Sequence, residues 1–285
     1  MMQVGIIGIG FVGGAIYDTL LEKGCALHGY DLFKKIGAFE DVIATNILFL
    51  CLPTQYDASK KAYDKSAISD TCRKLSSCEY KGVIVIKSTV EPTTTAELGT
   101  KYPNLSFVHN PEFLTAATAK EDFANQKHIV LGSTASTNPS HLKMLRAFYS
   151  QHFEEAEISV CSSTESESMK IFANTFYAVK IQYFNEVYAA CENMGANYDT
   201  VRDLIVKNGW VNPMHTNVPG TDGKLSYGGL CFPKDTNAIA EQMGREDIPN
   251  GVIKATIEER DKMRNDSSNI IIAKDSINED VLKHV

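Results

Sequence analysis

The chain has 285 residues, 44% of them hydrophobic, with 28 Lys plus Arg against 35 Asp plus Glu for a formal charge of −7. That length predicts two domains, or one large domain with an appendage, and the apolar fraction excludes a wholly disordered chain. No apolar run reaches the ~18 residues a membrane-spanning helix needs, and the acidic balance argues against broad nucleic-acid affinity.

The N-terminus, Met1-Met2-Gln3-Val4-Gly5-Ile6-Ile7-Gly8, reads as a core strand rather than a signal peptide. Seven cysteines, at 25, 51, 72, 78, 161, 191 and 231, form no CxxC pair and fit neither a disulfide framework nor a zinc site. Reduced thiols, a cytoplasmic location and no bound metal are the resulting expectations.

The first half alternates strands and helices. Residues 3–9 are a short apolar run, followed at once by Gly8-Ile9-Gly10-Phe11-Val12-Gly13. Residues 15–22 read as helix ended by Gly24, and 26–30 as a second strand ending at Asp31. Strand, glycine turn, helix, strand, acid is the order of a dinucleotide-binding unit. Gly8 permits the tight turn, Gly10 lets the backbone approach a pyrophosphate, and Gly13 allows close helix–strand packing. Asp31 accepts hydrogen bonds from a ribose diol and repels a 2′-phosphate, which favours NAD over NADP; Lys34 and Lys35 nearby weaken that preference.

Further strands are expected at 46–52, 81–87, 105–109, 128–131 and 158–161, making one parallel sheet covered by helices on both faces. Pro53-Thr54 and Lys87-Ser88-Thr89-Val90 follow two of these strands, where loops of a parallel sheet line a ligand crevice. The first domain is expected to span 1–162, a Rossmann-like NAD-binding domain.

The second half changes character. Residues 165–194 predict one long helix with Met169, Phe172, Phe176, Val179, Tyr183 and Val187 at helical spacing, ended by Gly195. Helices are expected at 199–206, capped by Asp199, at 235–243 and at 251–263, with a long loop over 208–231. These make a mainly helical central domain, 163–265; residues 270–273 read as a small strand within a short tail, 266–285.

Two segments concentrate chemistry. In Gly228-Gly229-Leu230-Cys231-Phe232-Pro233-Lys234-Asp235 a cysteine sits between glycines and a helix start. Backbone amides, Lys234 and the helix dipole favour a thiolate that can attack a carbonyl; a structural thiol at a tight turn is the alternative. Lys170 and Asn174 stand four apart on one helix face, directed at a shared ligand or simply solvated.

The glycine fingerprint, Lys87-Ser88-Thr89-Val90, Asn110-Pro111-Glu112-Phe113-Leu114, the Lys170–Asn174 pair and Tyr227-Gly228-Gly229-Leu230-Cys231-Phe232-Pro233-Lys234-Asp235 occur in this order. Together, over residues 2–263, they resemble the UDP-glucose/GDP-mannose dehydrogenase family, most closely its UDP-glucose 6-dehydrogenases. The resemblance implies two successive NAD-dependent oxidations of a nucleotide sugar, from C6 alcohol to carboxylate. It casts Cys231 as the nucleophile that holds a thiohemiacetal and then a thioester. Lys170 is then the stabiliser of the oxyanion and Asn174 its hydrogen-bonding neighbour. Asp235 manages the alcohol proton with water, Glu112 assists thioester hydrolysis, and Thr89 lies near cofactor and catalytic water.

The cofactor set implied is Gly8, Gly10, Phe11, Val12, Gly13, Asp31, Pro53, Thr54, Ser88, Thr89 and Lys234. The substrate set is Glu112, Phe113, Leu114, Lys170, Asn174, Tyr227, Gly228, Gly229 and Cys231, with His215 and Lys224 as phosphate or sugar contacts; His215 reads equally as a packed loop residue. Two departures stand out. A second glutamate common in the family is replaced around Ala116, and most or all of the family's third, nucleotide-gripping α/β domain is expected to be absent from this sequence, with 270–273 a candidate remnant. Weaker substrate affinity, a substrate with less need of the nucleotide grip, or a partner chain that supplies the lost contacts is expected to follow, and the long helix is the expected homodimer contact. The alternatives are a two-electron β-hydroxyacid-type dehydrogenase, which needs no thiol, and a truncated NAD-binding regulatory protein without turnover.

Overall fold

The computed structural model describes residues 2–115, 117–264 and 266. Position 116 and the strand expected at 270–273 lie outside the described residues, as does the expected tail apart from Asp266. Two compact units divide the chain: one runs to Thr54 and resumes over Asp64–Lys170, the other combines Gln55–Tyr63 with the described residues from Ile171 on.

In the first unit, strands β1 (Gln3–Ile7), β2 (Ala26–Tyr30) and β3 (Ile47–Leu50) are linked by helices α1 (Phe11–Glu22) and α2 (Phe39–Val42). Beyond the excursion at 55–63, which holds β4 (Tyr56–Asp57) and β5 (Ala62–Tyr63), come α3 (Ser66–Ser77), β6 (Val83–Ile86), α4 (Thr94–Lys101) and β7 (Ser106–His109). Then follow α5 (Ala119–Ala124), β8 (His128–Ser133), α6 (Pro139–His152) and β9 (Glu157–Ser162). The sheet order is β2-β1-β3-β6-β7-β8-β9.

The central strands β3 and β6 are apolar throughout because both faces of the sheet are covered there. Val4, Ile6, Ile47, Phe49, Val83, Val85 and Val108 face α1, α5 and α6 through Ile16, Leu20, Phe123, Leu145 and Phe148. The alternate residues Ile7, Leu48, Leu50, Ile84, Ile86 and Phe107 meet Val42, Ile68, Cys72, Leu75 and Leu98 from α2, α3 and α4.

One expectation is corrected: the sheet is mixed, since β8 pairs antiparallel with β7 at Val108↔Ser133 and His109↔Gly132, while β9 pairs parallel with β8. Between β7 and β8 only the six residues of α5 are helical among the described residues, and the chain re-enters the sheet at the end it left.

Helix α7 (Ser163–Met194) is the long helix expected, and a reciprocal cap sets its start: Ser162 N–H donates to Glu165 Oε2 at 2.8 Å and Glu165 N–H to Ser162 Oγ at 3.2 Å. Gly195, at φ +71°, ends it. The second unit continues with α8 (Tyr198–Lys207), α9 (Phe232–Arg245) and α10 (Gly251–Met263), and its core includes Tyr56, Tyr63, Ile171, Ala238 and Ile239. The cap of α8 is Asn197, whose Oδ1 accepts from Thr200 N–H at 2.9 Å, rather than Asp199, which sits in the first turn and pairs with Arg202 at 3.1 Å. Helix α9 starts earlier than expected because Pro233 fits a first turn, where its missing N–H has no helical partner to lose. Among the described residues no helix is long and apolar enough to cross a membrane, and no disulfide joins any of the cysteines.

The glycine turn separates two neighbours by their surroundings. A Cβ at Gly13 would lie 1.8 Å from the Gly8 carbonyl oxygen, whereas one at Gly14 would meet nothing within 4 Å. Gly13→Ala is therefore expected to destabilise the chain by about 3 kcal/mol, and Gly14→Ala, in the same helix interior, to stabilise it by about 0.5–1 kcal/mol. Urea denaturation of both variants checks this; a Gly13→Ala protein as stable as the parent contradicts the close approach.

Candidate active site

The glycine turn carries the first set of candidates. Gly8 holds φ +90°, and a Cβ there would meet the Cys51 carbonyl oxygen at 2.4 Å, so both it and Gly13 are required for β1, β3 and α1 to approach. Gly10 precedes α1 and has open space where a Cβ would stand. Phe11 is exposed, while Val12 packs against the core.

At the end of β2, Asp31 accepts from Ile9 N–H at 2.9 Å through Oδ2, and from Phe33 and Lys34 N–H at 3.0 and 2.9 Å through Oδ1. Its carboxylate is thus fixed against the glycine turn with further lone pairs to offer a diol. Lys34, the residue a 2′-phosphate would call on, donates instead to the Ile9 carbonyl at 2.8 Å.

The loops after β3 and β6 lie side by side. Ser88 Oγ donates to Leu52 O at 2.6 Å and accepts from Leu52 N–H at 3.0 Å, and Thr54 Oγ1 donates to Thr89 O at 2.7 Å. Pro53 is exposed at the tip.

The start of α7 is locked onto the sheet of this same unit. A Cβ at Gly132 would lie 2.6 Å from Ser166 Cβ, and the Ser166 hydroxyl bonds His109 Nδ1 at 2.8 Å. Glu167, fully buried, accepts from Thr93 and Thr95 N–H, each at 2.7 Å, and burial raises its carboxyl to about 7. One turn on, Lys170 Nζ meets Glu112 Oε1 at 3.1 Å and the Glu112 carbonyl at 2.6 Å, and stands 5.3 Å from the Phe113 ring centroid. Glu112 Oε2 accepts from Leu114 N–H at 2.7 Å. The side chains of Lys170 and Glu112 are 7% and 11% exposed, so the pair is held in one geometry yet reachable at its edge.

The second unit holds a different cluster, around Asp235. Asn174 Nδ2 donates to Asp235 Oδ2 at 2.6 Å, Lys234 Nζ meets Oδ1 at 2.5 Å, and the Tyr63 hydroxyl donates to the same Oδ1. Lys234 also stands 4.5 Å from the Tyr63 ring centroid. Asp235 is fully buried on the first turn of α9, and its N–H donates to the Cys231 carbonyl at 3.0 Å. Cys231 itself is exposed at the N-terminus of that helix.

Two buried arginines hold the loop before it. Arg260 Nε donates to Tyr227 O at 3.0 Å and its guanidinium lies 5.5 Å from the Tyr227 ring centroid; Arg264 Nη1 donates to Leu225 O at 3.1 Å, and a Cβ at Gly228 would collide with its Nη2. Gly229 adopts φ +75°. His215 packs on the Tyr177 and Phe232 rings at 5.0 and 5.7 Å, and burial lowers its pKa. Lys224 is exposed in a turn, its N–H on Asp222 Oδ1 at 3.1 Å. Sequence reasoning did not find Tyr63, Glu167, Arg260 or Arg264, and it quoted Lys87 without a role. A lysine closing an otherwise apolar strand was a signal; nothing local marked Tyr63.

These features define a Rossmann-type dinucleotide-binding protein joined to a helical unit. Residues 32–153 match the NAD binding domain, and residues 164–261 the central domain, of the UDP-glucose/GDP-mannose dehydrogenase family. The chain is 25% identical to UDP-glucose 6-dehydrogenase of Campylobacter jejuni over 261 residues, 91% of this chain and 64% of that protein. To UDP-glucose 6-dehydrogenase of Rickettsia felis it is 31% identical over 217 residues, 74% of this chain and 46% of the relative. The solved UDP-glucose dehydrogenase of Pyrobaculum islandicum superposes with a TM-score of 0.80 at 22% identity, covering 92% of this chain and 68% of that one. The chain thus spans between about half and two thirds of the curated relatives' length. It belongs to the UDP-glucose/GDP-mannose dehydrogenase family. Its cofactor is NAD, which the open backbone at Gly10 and the fixed Asp31 carboxylate fit.

Burial lowers His109 to about 3, far below the ~6.5 of an unfolded histidine. As pH falls below 6.5 the unfolded chain takes the proton first, so folding stability drops; above 6.5 the group contributes nothing. Between pH 6.5 and 4.5 the parent is expected to lose about 2 kcal/mol more than His109→Gln. Urea denaturation at the two pH values measures the difference, and equal losses would contradict the buried neutral imidazole.

Proposed function

We propose that this chain is an NAD-dependent nucleotide-sugar 6-dehydrogenase acting on UDP-glucose, with UDP-glucuronate as product. The observation that carries the reading is the exposed Cys231 at the N-terminus of α9, one turn before a buried Asp235 bonded to Asn174. A two-electron alcohol oxidation needs no such thiol.

Asp235, through water, takes the proton of the C6 hydroxyl. Lys170 stabilises the oxygen as negative charge develops, and Asn174 holds the Asp235 carboxylate in register. NAD, when bound, accepts a hydride in each of the two oxidations. The Cys231 thiolate adds to the C6 aldehyde to give a thiohemiacetal, and the second oxidation leaves a thioester. Water then attacks the acyl carbon, Glu112 takes its proton, the C–S bond breaks and the electron pair returns to the Cys231 sulfur. Thr89 and Ser88 line the cofactor side. Gly229 presents backbone to the sugar, positioned by the Tyr227 and Gly228 segment that the arginines hold, and Lys224 extends towards its phosphates, while His215 serves by packing on Tyr177 and Phe232. The setting proposed is the cytoplasm, where thiols stay reduced.

The test is NADH production from UDP-glucose, UDP-N-acetylglucosamine, GDP-mannose and 6-phosphogluconate. Two NADH per UDP-glucose are expected, and Cys231→Ser should lower acid formation by about 10³-fold or more. One NADH per sugar assigns the two-electron alternative instead, and NAD binding without turnover assigns the regulatory one.

We also propose a homodimer through α7. Phe172, Phe176 and Tyr183 are exposed on one face of that helix, Phe176 by 61%, a large apolar stripe for a protein surface. Sedimentation is expected to give a dimer for the parent and a monomer for Phe176→Glu; an unchanged dimer rejects this interface.

A further inference from the structure

We propose that Lys87 is a positioning residue for thioester hydrolysis: a buried cation that locks the Asn110-Pro111-Glu112 turn from behind and so aims the Glu112 carboxylate. This rests on the function proposed above.

Lys87 directly follows β6 and is 2% exposed. Its ammonium donates to Asn110 Oδ1 at 3.0 Å and to the Pro111 carbonyl at 3.1 Å, and lies 5.9 Å from the Phe123 ring centroid. Asn110 is held on every side. Its Oδ1 also accepts from the Tyr149 hydroxyl at 2.5 Å, its Nδ2 donates to Val130 O at 2.8 Å, and its N–H donates to Ile86 O at 2.9 Å. The next residue after Pro111 is Glu112, so the ammonium grips the two residues that lead directly into the carboxylate.

A buried charge is costly, and a neutral donor would satisfy the same two oxygens at less cost. The groups facing Lys87 explain the choice. Cys51, at the end of β3, has its thiol pushed up to about 12 by burial, and His109, on β7, is held down at about 3, so both are neutral at ordinary pH. Lys170, from α7, repels, and Glu112 is the carboxylate that attracts. Desolvation lowers Lys87 to about 8, which leaves it charged at neutral pH. Two ammonium groups thus bear on Glu112: Lys170 bonds the carboxylate directly, and Lys87 grips the Pro111 carbonyl just before it.

The step served is attack of water on the Cys231 acyl carbon. One water proton passes to Glu112, the C–S bond breaks with its electron pair on sulfur, and the carboxylic acid leaves. Misplacing the Glu112 carboxylate slows this step and leaves substrate binding alone.

The test compares Lys87→Met, Lys87→Gln, Lys87→Arg, Glu112→Gln and the Lys87→Met/Glu112→Gln double variant. With NAD and UDP-glucose, intact-protein mass spectrometry follows the Cys231 acyl adduct. Lys87→Met is expected to slow its decay and kcat by about tenfold, with KM falling alongside as the adduct accumulates and kcat/KM nearly unchanged. Lys87→Arg restores most of the rate, and the double variant is no slower than Glu112→Gln alone. Wild-type decay in Lys87→Met, or a double variant slowed by the product of both factors, overturns the proposal. Should Lys87→Met not fold, Lys87→Gln keeps a neutral donor, and its decay at the wild-type rate overturns the role of the charge.

A second readout needs no substrate. Hydrogen exchange at the Leu114 amide, which is bonded to Glu112, is expected to quicken about tenfold in Lys87→Met, while the Thr93 and Thr95 amides bonded to Glu167 stay unchanged. Unchanged exchange at Leu114 rejects the positioning role. Faster exchange with no Cys231 adduct in any protein, the parent included, supports the positioning role and counts against the dehydrogenase reading instead.

Discussion

A sheet buried on both faces has no room for chemistry along its strands. Every side chain of β3 and β6 is fully buried and apolar, so polar groups enter only where strands stop. The candidates of the first unit obey this constraint. Gly8 follows β1, Asp31 follows β2, Thr54 follows β3, Lys87, Ser88 and Thr89 follow β6, and Asn110 and Glu112 follow β7. All stand at the C-terminal ends of parallel neighbours, which is where an open α/β sheet forms its crevice. The reversal of β8 does not disturb this, because it comes after the last of these loops.

Such a crevice collects polar groups that water cannot satisfy, and the chain meets the demand with itself. Ser88 serves both backbone groups of Leu52, Thr54 serves the Thr89 carbonyl, and Asp31 serves three amides. Each bond fixes one loop against the next, so the candidate side chains are pre-set rather than free to search. Asp235 follows the same logic in the second unit. Its buried charge is offset by a lysine, an amide and a phenol, and the partners come from β5, α7 and α9.

How much of this was legible follows from the range of each interaction. The glycine turn, Asp31, the start and end of α7 and the placement of Cys231 at a helix start depend on residues within a few positions, and their signals lie in the local sequence. The direction of β8 depends on where the chain re-enters the sheet, which no local pattern encodes. The cap of α8 is Asn197 and not Asp199 because the helix begins at Tyr198, one residue before the 199–206 expected. Tyr63 reaches Asp235 across 172 positions from a two-residue strand, and Arg264 reaches Leu225 across 39; nothing near either residue announces the partner. Lys87 lies between these cases. Its oddity in an apolar run was visible, but the oxygens it serves were not.

The loop leading to Cys231 shows what replaces a sheet when a site is built without one. Residues 208–231 contain no helix or strand, so their carbonyls lack the regular partners that fix β-strand ends. Arg260 and Arg264, both nearly fully buried, take the carbonyls of Tyr227, Leu225 and Ser226, and both pair with Asp266. A guanidinium suits this task because its planar fork reaches several oxygens in one fixed geometry and keeps its charge when buried. Gly228 and Gly229 then give the backbone the room and the positive φ that such a clamp requires. The thiol consequently follows, at the start of α9, a segment whose carbonyls at Leu225, Ser226 and Tyr227 are tied to two buried guanidinium groups.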